Sequence, residues 1–204
     1  EFQSLDDHEI VAANDLIFRI GTPAAENAVR DEVSKLQMAF DTKPGAQLKG
    51  VTVGYERDGG DFWMTFTNPH GAPINNGVRI KLTSIRDVSS LPWAELNVDT
   101  VVESTGLFTE DVKAAVHLQA GAKKALVSAP GTGNIRSITP GATGSAQDFI
   151  GLDVGSKLYD CASCTTNSVS GAVGILLDTV GIRAYKLNTV HAYTQGQSPL
   201  DDDI

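Results

Sequence analysis

Cysteine is scarce in this chain, with two in 204 residues. Two thiols cannot build a disulfide framework, which fits a reducing cytoplasm. Positive charge is also short. Sixteen Lys and Arg face 25 Asp and Glu, for a net charge of -9 and a pI near 4.8. That balance argues against a nucleic-acid partner, because phosphate contacts need a basic face, and against a polybasic membrane-surface role. No run of about 18 apolar residues is present, so no bilayer span is expected. No charged-then-apolar leader is read at the start, so no secretory signal is expected. No internal repeat and no low-complexity tract occurs. What is there looks globular: 41% hydrophobic and 20% charged residues set aside both disorder and fibrous repeats. At about 150 residues per domain, the length suggests one or two domains.

Along the chain the apolar period changes. Residues 9–13 read as a short buried strand ended by Asn14 and Asp15. Thr22-Pro23 reads as a helix start, with Val29, Val33, Leu36 and Phe40 on one stripe. Lys43-Pro44-Gly45 should stop that helix. The period then becomes two. Residues 51–53, 62–66 and 78–82 are strand-like, with turns at Gly59-Gly60 and Asn75-Asn76-Gly77, which predicts an inserted antiparallel ribbon. After Pro92, strand and helix alternate. A strand at 99–103 precedes a helix that Thr109 should cap, carrying Val112, Ala115, Val116 and Leu118; Gly121 ends it before a strand at 124–128. Such units fold as parallel crossovers. Residues 130–157 are rich in Gly, Ser, Thr and Pro and carry no clear period. An apolar helix is expected from about Asn167 to Thr179, and a strand near Tyr185 to Val190. The expected class is α/β with a parallel sheet.

The densest chemistry lies in Cys161-Ala162-Ser163-Cys164-Thr165-Thr166-Asn167. Cys164 falls where loop gives way to helix. Helix N-termini carry partial positive charge and free N–H groups. These favour thiolate and can stabilise an oxyanion on a substrate carbonyl. His191 follows 27 residues later, beyond the helix, where a returning strand could bring its imidazole to Cys164. The alternatives stay open: two small buried apolar cysteines, or a redox dithiol, since Cys161-x-x-Cys164 has that spacing. A four-cysteine zinc site is excluded, and no metal site is expected. Asp15, just past a strand, could accept ribose hydroxyls, or be an ordinary strand-end carboxylate. Only 14 residues precede it, none of them glycine. Gly131-Thr132-Gly133-Asn134-Ile135-Arg136 mimics a phosphate loop but ends in arginine with no clear helix after it. His8, His70 and His117 suit surface or packing roles, and Asp201-Asp202-Asp203 a solvated acidic end.

Taken together, the blocks are recognisable. Ala162 to Asn167 followed by Thr189-Val190-His191-Ala192-Tyr193-Thr194 resembles the phosphorylating glyceraldehyde-3-phosphate dehydrogenases. So do Val101 to Thr109, Ala120 to Lys124 with Ser128-Ala129-Pro130, Val11 to Leu16, and Leu91-Pro92-Trp93. The resemblance covers nearly the whole chain, weakly at 41–85 and 131–158. It implies a partial doubly wound, Rossmann-like parallel sheet with an antiparallel ribbon insertion, and the start of an α+β catalytic domain. The implied division is 1–163, a partial dinucleotide-binding domain, and 164–204, the opening of the catalytic domain. It implies that Cys164 attacks an aldehyde and His191 acts as base. Ser163, Thr165 and Thr194 would contact substrate or inorganic phosphate. Asn14, Asp15, Arg86, Thr105, Phe108 and Ser128 would line the cofactor pocket. The cofactor would be NAD, with NADP left open; the partners would be a small phosphorylated aldehyde and phosphate. A cytoplasmic homotetramer is implied for the full-length protein. Alternatives are a sister enzyme acting on erythrose 4-phosphate and a non-catalytic paralogue or fragment.

The departures are specific. Cys161 replaces the family's asparagine, Ser168 a frequent second cysteine and Gly196 an aspartate. A Tyr-Asp-x-x-His-Gly signature is missing from 41–54, a substrate-phosphate arginine has no counterpart, and no glycine-rich loop or first strand is seen. In the doubly wound order the first strand lies between the second and fourth, so its absence should leave two strand edges unpaired. The chain is therefore expected to be part of something longer, and to show little activity by itself.

Overall fold

A computed structural model of the chain describes residues 10–42, 50–74, 77–139 and 156–192. The chain forms two compact units, Glu1–Val101 with Val112–Ala125, and Val102–Asp111 with Leu126–Ile204.

The first unit opens with β1 (Ala12–Asn14), a 3-10 turn at Leu16–Phe18, and α1 (Ala25–Thr42). Then come β2 (Thr52–Asp58), β3 (Asp61–Thr67) and β4 (Ile80–Thr83), which with β1 make a sheet of order β1-β4-β3-β2. Ala25, Val29 and Val33, four residues apart, put the buried stripe of α1 against Val53, Phe62, Met64, Ile80 and Leu82. Each fully buried side chain of this size contributes roughly 1.5–3 kcal/mol. The β2–β3 hairpin turns on Gly59-Gly60, with Gly59 at φ 63, where a side chain would be strained. β4 pairs antiparallel with β3 and parallel with β1. The expected ribbon is thus present and is joined to a parallel strand. The other sheet face is polar: Arg79 lies 4.7 Å over the Trp63 ring and 3.0 Å from Glu56.

Further on are β5 (Thr100–Glu103), α2 (Asp111–Gln119), β6 (Lys124–Val127), β7 (Arg136–Ser137), β8 (Leu158–Asp160) and α3 (Cys164–Thr179). The second sheet has order β5-β6-β8-β7, with β7 and β8 parallel. This is an α/β, Rossmann-like fold. β1 and β5 are end strands of their sheets.

Four details differ from the expectations. Helix α2 buries Ala114 and His117, while Val112 is exposed. The reason is polar: Trp93 Nε1–H donates to His117 Nδ1 at 3.2 Å, so a histidine takes the inner face. Helix α3 starts at Cys164, three residues early, because Ser163 caps it. β7 and β8 arise at the ends of the stretch without a period. No strand forms at 185–190; residues 184–192 have no regular structure, and Tyr185, Leu187 and Val190 are exposed. A strand needs a ladder partner, and among the described residues none runs beside it. The expected helix stop at 43–45, the turn residues Asn75-Asn76, His8, Gly196 and the acidic end at 201–203 lie outside the described residues. Among the described residues no helix is long and apolar enough to cross a membrane.

Candidate active site

Where β8 ends, the backbone must turn sharply to enter α3. Ala162 makes that turn at φ 54, a left-handed conformation unusual for a residue with a Cβ. Ser163 then returns to extended backbone as N-cap, and its Oγ accepts the Thr166 amide at 3.0 Å. Its carbonyl accepts the Asn167 amide at 2.9 Å. The Asn167 side-chain amide donates back to the Cys161 and Ser163 carbonyls, at 2.7 and 2.9 Å. Cys164 follows as the first helical residue, exposed.

His191 comes back to this helix start from an irregular segment. Its Nε2 lies 3.2 Å from Thr165 Oγ1, one residue from the thiol. The structure therefore brings Ser163, Cys164, Thr165 and His191 to one place. Thr194 lies outside the described residues. Cys161 differs from Cys164: it is partly buried, and burial first, then the neighbouring Asp160 carboxylate, pushes its thiol above the ordinary range. Both cysteines are free.

The candidate cofactor residues form local groups. Asn14, at the carboxyl end of β1, is bound into the fold: its Oδ1 accepts from Ile85 N at 2.8 Å and Thr83 Oγ1 at 2.9 Å, and its Nδ2 donates to Ile85 O at 3.1 Å. Asp15 is exposed beside it and caps the short turn by accepting the Ile17 amide at 3.0 Å. Arg86 is exposed in the bend after β4, next to the Ile85 that Asn14 holds. In the second unit, Thr105 donates its amide and its hydroxyl to Glu103 Oε1, at 2.7 and 2.5 Å. The Ser128 amide donates to the Glu103 carbonyl at 2.9 Å. Phe108 is partly buried in the loop that follows.

Sequence reasoning missed two buried carboxylates, Glu103 and Asp160. The one available signal was position: each ends a strand just before a residue already singled out. The loop at 131–134 folds onto the start of α2. Asp111 Oδ2 accepts the Asn134 amide at 2.7 Å, and any Cβ on Gly133 would collide with that carboxylate. A phosphate would meet negative charge there. Among the described residues no cluster of three or more His, Cys, Asp and Glu could hold a metal.

Parallel strands alternating with helices define the Rossmann-like α/β class. No protein-family model matches the chain. Curated proteins do. It is 36% identical over 184 residues to the glyceraldehyde-3-phosphate dehydrogenase of Clostridium pasteurianum, covering 90% of this chain and 53% of that protein. With the enzyme of the same name from Kitasatospora aureofaciens the identity is 40% over 195 residues, 96% of this chain and 49% of the other. With that from Thermotoga maritima it is 42% over 128 residues, 63% and 37%. The chain belongs to the glyceraldehyde-3-phosphate dehydrogenase family, and it spans about half the length of the curated relatives it matches.

Proposed function

We propose that this chain is part of a phosphorylating glyceraldehyde-3-phosphate dehydrogenase, a glycolytic oxidoreductase that converts glyceraldehyde 3-phosphate to 1,3-bisphosphoglycerate. The observation that carries the reading is Cys164, exposed at the first residue of α3 behind the Ser163 cap, with His191 one residue away on Thr165.

In this reading the Cys164 sulfur adds to the aldehyde carbon, giving a thiohemiacetal. Ser163 already occupies the amides of Thr166 and Asn167. The amides of Cys164 and Thr165 are then the donors for the oxyanion. His191 takes the hydroxyl proton as the carbon loses hydride, and a thioester remains on Cys164. Inorganic phosphate displaces the sulfur and leaves as an acyl phosphate, with Ser163, Thr165 and Thr194 holding phosphate groups. NAD, when bound, supplies the hydride acceptor. Asp15 suits its adenosine ribose: an exposed carboxylate at the carboxyl end of a parallel strand accepts the ribose hydroxyls and repels a 2′-phosphate, which favours NAD over NADP. Asn14 and Arg86 lie by Asp15, and Thr105, Phe108 and Ser128 would meet the rest of the cofactor. Residues 1–163 would serve the dinucleotide and 164–204 open the catalytic domain, in a cytoplasmic homotetramer.

The test is NADH formation from the aldehyde, NAD and phosphate by the protein that carries this chain. Cys164→Ser should lower turnover about a thousandfold or more; undiminished turnover would overturn the assignment. Turnover of erythrose 4-phosphate against glyceraldehyde 3-phosphate separates the sister enzyme. The 204-residue chain by itself, with no glycine-rich loop before Asp15, is expected to show little or no turnover.

A further inference from the structure

The buried carboxylate nearest the proposed nucleophile has no part in the steps above. Asp160 ends β8 and is 1% exposed. One oxygen accepts the Ala162 amide at 2.6 Å, and the other accepts the Ser137 hydroxyl at 3.0 Å. Its backbone carbonyl takes the Ile138 amide at 2.8 Å. Gly131 packs so close that a Cβ there would lie 2.8 Å from Oδ2. The side chain is thus fixed on three sides, and its hydrogen bond to Ala162 falls on the left-handed residue that aims the chain into α3.

We propose that Asp160 is a positioning residue: its carboxylate holds the Ala162 turn that presents Cys164 at the head of α3, and it reserves reaction for that thiol over Cys161. The inference rests on the reading of Cys164 as nucleophile. Alanine gains nothing of its own from φ 54, a left-handed conformation that its Cβ disfavours. Two clamps offset this. Asp160 takes the turn's amide, and Asn167 ties its carbonyls on either side. At Cys161, burial first and the same negative charge second oppose a thiolate. Two thiols three residues apart are thereby made unequal: one exposed on free helix amides, the other partly buried against a carboxylate.

The experiment labels the protein that carries this chain with iodoacetamide across a pH series, reading Cys161 and Cys164 separately by peptide mass spectrometry. Asp160→Asn keeps an oxygen for the Ala162 amide and removes the charge. It should leave the Cys164 rate nearly unchanged while the Cys161 profile moves to lower pH. Asp160→Ala removes the clamp as well, and should slow Cys164 about tenfold, the equivalent of one charge-assisted hydrogen bond. Hydrogen exchange over 161–167 should quicken in the alanine variant and not in the asparagine one. A Cys161 profile and a Cys164 rate unaltered in both variants would overturn the role of Asp160. Unchanged rates for Cys161 and Cys164 in the variants are distinct from a slow wild-type Cys164. If wild-type Cys164 labels no faster than Cys161, the nucleophile reading fails, and the Cys161 profile still decides whether Asp160 acts on its neighbour. Should Asp160→Ala not fold, Asp160→Asn and the Cys161 profile carry the test.

Discussion

Cys161 has a measurable consequence at alkaline pH. Its proton is held more tightly in the folded chain than in the unfolded one, through burial first and the Asp160 charge second. A raised folded pKa means that the folded state binds the proton better. The associated stability is complete below the unfolded thiol value, about 8.5, and is lost as pH rises through the higher folded value. The urea midpoint of the wild-type chain should therefore fall faster above that range than the midpoint of Cys161→Ser. Parallel curves for the two would contradict the burial and charge described. Individual residues were the least legible level of the sequence. The family resemblance implies a place in the cofactor pocket for Asn14, and its amide is also engaged with Thr83 and Ile85. His117 looked like a surface or packing residue, and proves to be the inner acceptor for Trp93. Neither role has a local pattern, because each partner lies more than twenty positions away. Cys164 was legible because the change from loop to helix is a short-range signal, whereas Ser163 entered through the family resemblance and its role as cap was not read.

Elements were easier to read where their signal is local. The stripe Val29, Val33 and Leu36 and the Gly-Gly hairpin state a period and a turn directly, and both formed. β7 and β8 could not be read, since two or three residues carry no period and exist only through each other. The strand expected at 185–190 had the right composition but gains no ladder. One element-level contact escaped sequence reading altogether. Gln37, on α1, accepts the Val53 amide at 2.7 Å and donates to the Val51 carbonyl at 2.9 Å. It satisfies the outer edge of β2, which is the last strand of its sheet. Such an edge otherwise offers itself to another chain. Gln37→Ala should destabilise the chain by about 1–3 kcal/mol, through two lost hydrogen bonds and a half-buried edge left unsatisfied. Urea unfolding would show a lower midpoint at unchanged slope, and the Val53 amide would exchange faster. Unaltered exchange at Val53 would show that α1 does not guard that edge.

At the scale of the whole chain, apolar surface outruns what the described residues cover. Helix α3 is apolar in composition, yet none of its side chains is fully buried. Ile175 is 67% exposed and Val180 77%, with Leu176 and Leu177 about half exposed. Beyond the helix, Val190 is 94% exposed. Contiguous apolar patches of this kind bind apolar probes and mark surfaces that water covers poorly. The sequence showed the α3 run as a helix but could not show its exposure, because a helix apolar on several faces reads the same whether covered or bare. The 204-residue chain should therefore raise the fluorescence of the dye ANS while keeping its far-ultraviolet helix signal. Ile175→Lys with Val180→Lys should lower that dye signal and leave the urea midpoint nearly unchanged, since exposed positions cost within about 0.5 kcal/mol. A sharp loss of stability in the double variant would mean that these side chains are packed in solution, and an unaltered dye signal would place the apolar surface elsewhere.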